Sequence, residues 1–235
     1  RRLNPKMGAN MTTTLRIDAS ARTQRSLTRM LGDRFGEDWK VKRPEDQVIF
    51  RDVGMSPPPA ISEDWIAAAH TPEEQRSAMQ REVVALSDTL IDELERADIV
   101  LIATPMYNYD MPASLKAWVD QVVRIDKTFT FDLARGDYPL EPVMSGKTMV
   151  LLTTSGEFGF APGGVRQNMN HLDPHLRTLR HYLGVDEMHQ IAIEYQEFGD
   201  DRHRASIEAA LAAIPVLIDR IIAKAASDSE TYSAT

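Results

Sequence analysis

The chain has 235 residues, enough for one α/β domain with a sizeable core. Its 27 basic and 35 acidic side chains leave a net charge of −8, which argues against a nucleic-acid-binding surface. The lack of cysteine excludes a disulfide framework, thiolate metal sites and a cysteine nucleophile. No apolar run approaches membrane-spanning length, so a soluble protein without a membrane partner is expected, with the cytoplasm as its default location.

Residues 1–10 contain Arg1 and Arg2 but no apolar core, unlike a signal peptide. They read as an extension, native or left from expression, with Met7 or Met11 as the start. One domain is expected over 11–226, and the polar residues 227–235 should fray.

Thr12–Asp18, with Leu15 and Ile17 apolar, reads as a first strand. Ser20, Arg22, Thr23, Arg25, Ser26 and Thr28 then surround the start of a helix whose apolar face is Leu27, Met30, Leu31 and Phe35. A helix start offers unpaired N–H groups and a positive dipole end, and hydroxyls beside it complete a cradle for a phosphate. Simple capping by Ser26 would need only one of these oxygens. Gln47–Val53 is a second strand candidate, and Pro57, Pro58 and Pro59 follow as a stiff connector. Thr71-Pro72-Glu73-Glu74 has the form of a capping box. The helix expected after it carries Met79, Val83, Leu86, Leu90 and Leu94 as a core stripe.

Ile99–Ala103 is an unbroken apolar run too short for a helix, as in a strand covered on both faces. Asp110 and Pro112 open the next helix, with Leu115, Trp118, Val119 and Val122 on one side. Between them lie Thr104, Pro105, Met106, Tyr107, Asn108 and Tyr109. In a doubly wound sheet such a loop is where ligands sit, and this one suits a planar heteroaromatic ring. A packed strand-to-helix turn would use the same residues.

Lys127–Phe131 alternates, placing Phe129 and Phe131 on one face of an edge strand or hairpin arm, with Ala134–Glu141 as an exposed loop. Ser145-Gly146-Lys147-Thr148 is not a phosphate loop: Glu141 stands where the motif needs glycine, and the buried strand Met149–Thr153 follows where it needs a helix. Thr154–Phe160 leaves that strand with Gly156 and Gly159, which let backbone approach a ligand. His171 and His175 are four apart, but Pro174 lies between them and no third ligand is near, so no metal is expected. Leu172, Leu176, Leu179 and Leu183 mark a helix stopped by Gly184, and Met188–Ile193 is a fifth strand. Ile207, Leu211, Ile214, Ile218 and Ile221 form the last helix, in which Pro215 should produce a kink or break.

Five strands alternating with helices predict a three-layer α/β/α sandwich on a parallel sheet. No G-x-G-x-x-G is present for a resident dinucleotide, and no G-x-S-x-G for a hydrolase nucleophile.

The run Pro105-Met106-Tyr107-Asn108-Tyr109, followed by Pro112, Leu115-Lys116, Trp118 and Asp120, resembles the flavin-binding loop and next helix of FMN-dependent NADH-azoreductases. These belong to the flavodoxin-like NAD(P)H:quinone oxidoreductases. Ser20, Arg22, Ser26 and Thr28 match the family's first loop, and the resemblance implies that these, with Leu27, hold the FMN phosphate. It further implies that Met106 and Tyr107 pack along the ring, with backbone N–H groups near Asn108 and Tyr109 at its N5 or O4. Ser155 and Gly156 fit the family's third loop, but Glu157 and Phe158 stand where glycines would be expected. A carboxylate there would disfavour an anionic reduced flavin. The segment around Phe129 matches a family stretch whose aromatic end lies over the flavin, making Phe131, with Phe160, a substrate-side candidate.

The implied fold is flavodoxin-like, strand order 2-1-3-4-5, with FMN at the switch between strands one and three. The implied activity is ping-pong transfer of two electrons from NADH or NADPH, a transient co-substrate, through FMN to quinones or azo compounds. The family also implies a homodimer whose sites are completed by the partner subunit. The alternatives are a flavodoxin-type electron carrier without NAD(P)H turnover, and a flavin-free interaction module on the same fold.

Overall fold

The computed structural model describes the backbone of residues 2–3 and 11–233, with side chains over 11–227. The elements that position the site are β1 (Thr13–Asp18), α1 (Leu27–Lys42), β2 (Gln47–Asp52), α2 (Glu63–His70), α3 (Ala78–Arg96), β3 (Ile99–Pro105) and α4 (Ala113–Val122). There follow the hairpin strands β4 (Phe129–Phe131) and β5 (Leu140–Pro142), then β6 (Lys147–Thr154), α5 (Leu172–Leu179), β7 (Val185–Ile193) and α6 (Asp201–Ser233). Residues 2 and 3 bridge Met144 and Ser145 in parallel, and the rest of the 1–10 extension lies outside the described residues.

β2, β1, β3, β6 and β7 form one parallel sheet in that spatial order. Ranked along the chain, this is the expected 2-1-3-4-5, with the direction of winding reversing between β1 and β3. β3 is buried at every residue because helices cover both of its faces. Its Val100 and Ile102 pack with Leu90 and Leu94 of α3 and with Leu115, Trp118 and Val122 of α4. The alternate residues Ile99, Leu101 and Ala103 pack with Leu31 and Phe35 of α1 and with Ile214 and Ile218 of α6. The strand's period of two thus feeds two cores, and the sandwich follows from that alternation.

Several local expectations are corrected. α2 went unanticipated behind the prolines; Ser62 caps it, and Trp65 and Ala68 are buried beneath it. Thr71–Glu74 opens only a short turn of 3₁₀ helix, Glu73–Gln75. The reciprocal box that starts α3 is instead Ser77 with Gln80, because Arg76 interrupts by donating to the carbonyls of Ala68 and Thr71. Met79 consequently falls on the solvent side and is 73% exposed, while Val84, Leu90, Ile91 and Leu94 carry the buried stripe. Pro215 neither ends nor divides α6, which also continues through most of the expected frayed tail. A proline inside a long helix costs one hydrogen bond, and Ile214, Leu217 and Ile218 hold the surrounding turns in the core. Phe129 and Phe131 form one arm of a hairpin with Leu140–Pro142, so part of the expected loop is strand.

Candidate functional site

Every strand of the sheet releases its chain at the same rim, and the loops leaving β1, β3, β6 and β7 meet there. The enclosed part of the cleft between them measures about 130 Å³. Ser20, Arg22, Ser26, Leu27 and Thr28 line it from the first loop, Pro105, Met106 and Tyr107 from the second, and Gly156 from the third. A larger cavity of about 560 Å³ lies on the α1 flank near Trp39, Arg43 and Val48, and none of these loops reaches it.

The first loop is built as an anion cradle. Ser20 and Thr28 are buried, and the Ser26 hydroxyl lies 3.3 Å from that of Thr28. Ser26 caps α1 through the amide of Arg29 at 3.4 Å, a long and weak bond. Among the described residues, the amides of Ser26, Leu27 and Thr28 have no protein acceptor. Orphan amides at a helix start are costly unless water or a ligand takes them. No carboxylate lies within ion-pair distance of Arg22 or Arg25 among the described residues, so two exposed cations stand at the same mouth. Arg25 has φ +57, a left-handed turn that brings the chain into the helix.

Behind the loop sits a charge cluster that the sequence did not disclose. Arg29 forms a bidentate pair with Asp52, at 2.7 and 2.8 Å, and lies 3.4 Å from Asp18. Asp18 also accepts from Arg16 at 2.9 and 2.8 Å. Burial raises the Asp18 carboxyl above its usual range, against the pull of Arg16 and Arg29. Burial also opposes ionisation of Asp52, but hydrogen bonds from Arg29 and from the Met55 amide outweigh it and hold Asp52 low.

The second loop is a tight two-residue turn. Tyr107 and Asp110 exchange both backbone hydrogen bonds, at 2.9 and 3.1 Å, while Asn108 and Tyr109 have φ +49 and +70. Both central residues are therefore left-handed, the conformation of a type I′ turn, and for tyrosine this is strained. Three contacts hold it: the Tyr109 carbonyl accepts from the His171 amide at 2.9 Å, its ring lies 6.2 Å from Phe160, and its hydroxyl donates to Glu157 at 3.3 Å. Tyr107 and Tyr109 are each 39% exposed, giving the mouth of the cleft an accessible aromatic surface.

The third loop departs from a glycine-rich form, and the structure shows what its side chains do. Glu157 pairs with Arg166 at 3.0 Å, beside its contact with Tyr109. Phe158 stacks on Tyr195 with centroids 4.5 Å apart, and the Arg166 guanidinium lies 4.5 Å over its other face. Phe158 therefore turns into a stack with the loop after β7 and does not line the enclosed cleft. Ser155 donates its hydroxyl to the Glu157 carbonyl at 2.9 Å, an internal brace of the loop. Gly156 is required by close approach: a Cβ there would come within 2.5 Å of the Glu197 side chain.

Asn108, Tyr109 and Glu157 thus stand at the rim, outside the enclosed part of the cleft, while Ser155 is buried against a neighbouring cavity. Phe160 is buried and lines a neighbouring cavity of about 280 Å³ that shares Met106 and Thr154 with the cleft. Phe131 is 49% exposed on its hairpin and lines neither space. Arg25 and Thr154, expected only as members of the first and third loops, also line the cleft, and so do Gln196 and Glu197, which were not anticipated. Gln196 and Glu197 follow the fifth strand, whose exit loop carries no phosphate or flavin pattern; they reach the cleft because their amides bond to the carbonyls of Ser155 and Gly156.

The sheet order, and a cleft at its switch point with a helix start on one side and an aromatic turn on the other, define the flavodoxin-like class. The chain belongs to the family of flavodoxin-like fold, whose profile matches residues 12–216. It is 56% identical over 204 residues to FMN-dependent NADH:quinone oxidoreductase 2 of Idiomarina loihiensis, covering 84% of this chain and 85% of that one. The protein of the same name from Colwellia psychrerythraea is 52% identical over 219 residues, covering 90% of this chain and all of its own. Among solved structures, an azoreductase from Bacillus anthracis superposes with a TM-score of 0.79 over 89% of this chain and 100% of that one, at 21% identity. No described helix is long and apolar enough to cross a membrane.

Proposed function

We infer that this chain is an FMN-dependent NADH:quinone oxidoreductase, with quinones and aromatic azo compounds as its acceptors. The observation that carries the reading is the convergence of three loops on one cleft at the switch point of a flavodoxin-like sheet. The fit to FMN rests on what the cleft lacks and offers. Among the described residues, amides without acceptors, buried hydroxyls and two arginines without a carboxylate partner match a dianionic phosphate; Met106 and Tyr107 offer a flat surface for a ring.

In this reading Ser20, Ser26 and Thr28, with the amides of Leu27 and Thr28, hold the phosphate, and Arg22 and Arg25 offset its charge. Met106 and Tyr107 pack on the ring, and the backbone of the Asn108–Tyr109 turn meets its edge. Ser155, Gly156 and Glu157 close the opposite side, and Phe158 supports that loop from behind. Bound FMN supplies the redox chemistry, taking two electrons from NADH and giving them to the acceptor. The side chains bind, orient and exclude water; no nucleophile is required.

The acceptor reaches the ring from the rim, where Tyr107 and Tyr109 are accessible. Phe131, Leu133, Tyr138 and Leu140 leave an exposed apolar surface on the hairpin, which supports a homodimer in which a second copy completes the site. The cytoplasm, where NADH is available, is the proposed location. Purified protein should be yellow and should bleach anaerobically on addition of NADH, then recover with a quinone. Bound FMN that stays oxidised with NADH would instead make the chain an electron carrier.

A further inference from the structure

We propose that Arg29 is the positioning residue of the phosphate cradle: its guanidinium pins the backbone carbonyls of Ser20 and Arg22 and so fixes the first loop with its amides free for the anion. The inference rests on the FMN reading and concerns a residue outside the lining of the cleft.

The geometry uses every donor that arginine has. Nε donates to the Arg22 carbonyl at 2.8 Å, and Nη2 to the Ser20 carbonyl at 2.7 Å and to Asp52 at 2.8 Å. Nη1 donates to Asp52 at 2.7 Å and, at 3.4 Å, to Asp18. An arginine serving only as an ion-pair partner would be satisfied by the bidentate carboxylate. Here that pair fixes the plane of the fork, and two of the three remaining donors address the carbonyls on either side of Ala21. A lysine, with one compact ammonium, cannot match this planar arrangement.

Carbonyl oxygens turned toward a phosphate would repel it. Two independent contacts keep Ser20 from turning. One is Arg29. The other is Gly54, just after β2, whose amide donates to the Asp18 carbonyl at 3.0 Å and where a Cβ would lie only 2.1 Å from the Ser20 oxygen. The Ser20 hydroxyl in turn accepts from the Arg22 amide at 3.2 Å, closing a small turn over the guanidinium. The charge pattern agrees. Asp52 and Asp18 balance Arg29 and Arg16, which leaves Arg22 and Arg25 as the cations presented to the ligand.

The test compares FMN with riboflavin, which lacks only the phosphate, by titrating the flavin-stripped full chain and following flavin fluorescence. Wild type should prefer FMN strongly. Arg29→Gln should lower that preference at least tenfold while riboflavin affinity stays within twofold, and Arg29→Lys should not rescue it. Asp52→Asn, which keeps the guanidinium but loosens its orientation, should give a smaller loss of preference and serves if the Arg29 variants do not fold. A wild-type preference retained in full by Arg29→Gln or Arg29→Lys, or an equal loss for both flavins, would overturn the role of Arg29 alone. No preference in wild type would overturn the phosphate assignment itself, and this inference with it.

Discussion

The two rims of the same sheet treat polar groups in opposite ways. At the amino rim most are consumed, the buried hydroxyls of Thr14 and Ser145 excepted. Asp46 accepts from the Thr12 amide and the Trp39 indole at 2.9 and 3.0 Å, Asp98 from the Thr13 amide at 2.8 Å, and Asp186 from the Gly146 amide at 2.8 Å. Lys147, 2% exposed, donates to the Glu95 and Ala97 carbonyls at the end of α3. At the carboxyl rim the amides of Ser26, Leu27 and Thr28 are left without acceptors, and Asn108 and Tyr109 adopt left-handed backbone. One rim mainly closes the fold; the other leaves backbone donors open to water or a ligand and holds two left-handed residues.

The contrast is broken most directly at the cradle. Replacing Ser20, Ser26 and Thr28 together with Ala should weaken FMN binding about a thousandfold, since hydrogen bonds to a charged group contribute roughly 1.5–3 kcal/mol each and do not add fully. Global stability should fall by only about 1 kcal/mol, the value of the lost Ser26 cap. Equilibrium flavin titration beside urea unfolding measures both. Unchanged FMN affinity would remove the phosphate from this loop.

Lys147 tests the other rim. Burial lowers its pKa from 10.5 to about 8, against the pull of Asp98 and Glu95. Between these values the unfolded chain binds the proton and the folded one does not, so stability rises with pH across that window and is lost as pH falls through about 8. The size is about 3 kcal/mol, at roughly 1.4 kcal/mol per pKa unit. Urea unfolding of Lys147→Met between pH 7 and 11 should lack this slope while wild type shows it. Parallel curves would mean that the ammonium is not desolvated. Either way FMN affinity should not change, because Lys147 begins β6 at the rim opposite the cleft.

How much of this was legible in the sequence follows the same division. The sheet could be read because β3 is apolar at consecutive positions, which only a doubly covered strand tolerates, and because glycine or proline marks the ends of its neighbours. The strand order came from resemblance to a family, since the pattern of a strand does not name its neighbours. The cradle showed itself as several hydroxyls where one cap would suffice. Arg29 did not, because its spacing on α1 resembles that of any solvent-facing residue; its partner Asp52 is 23 residues away and meets it only once β2 lies beside β1. The capping box expected at Thr71 forms at Ser77 for a related reason. Both sites satisfy the local capping pattern, and the tertiary contacts of Arg76 decide between them.

The smallest expected effect lies where the two loops of the rim touch. Glu157 carries a full charge beside the proposed ring position, yet Arg166 stands 3.0 Å from it and the side chain is 37% exposed. Water and the guanidinium both screen it. Removing the charge with Glu157→Gln should therefore raise the midpoint potential of bound FMN by no more than about 15 mV, near 0.7 kcal/mol for a two-electron couple. The direction is upward because a nearby negative charge disfavours the electron-rich reduced form. Potentiometric titration of wild type and variant measures the difference. A rise of about 60 mV would mean that the carboxylate faces the ring unneutralised, and that the Arg166 pair opens when flavin binds. A shift within the expected range would leave Glu157 as a brace: it holds the Tyr109 hydroxyl, and through it the left-handed turn, in place of the backbone freedom that glycine would have given this loop.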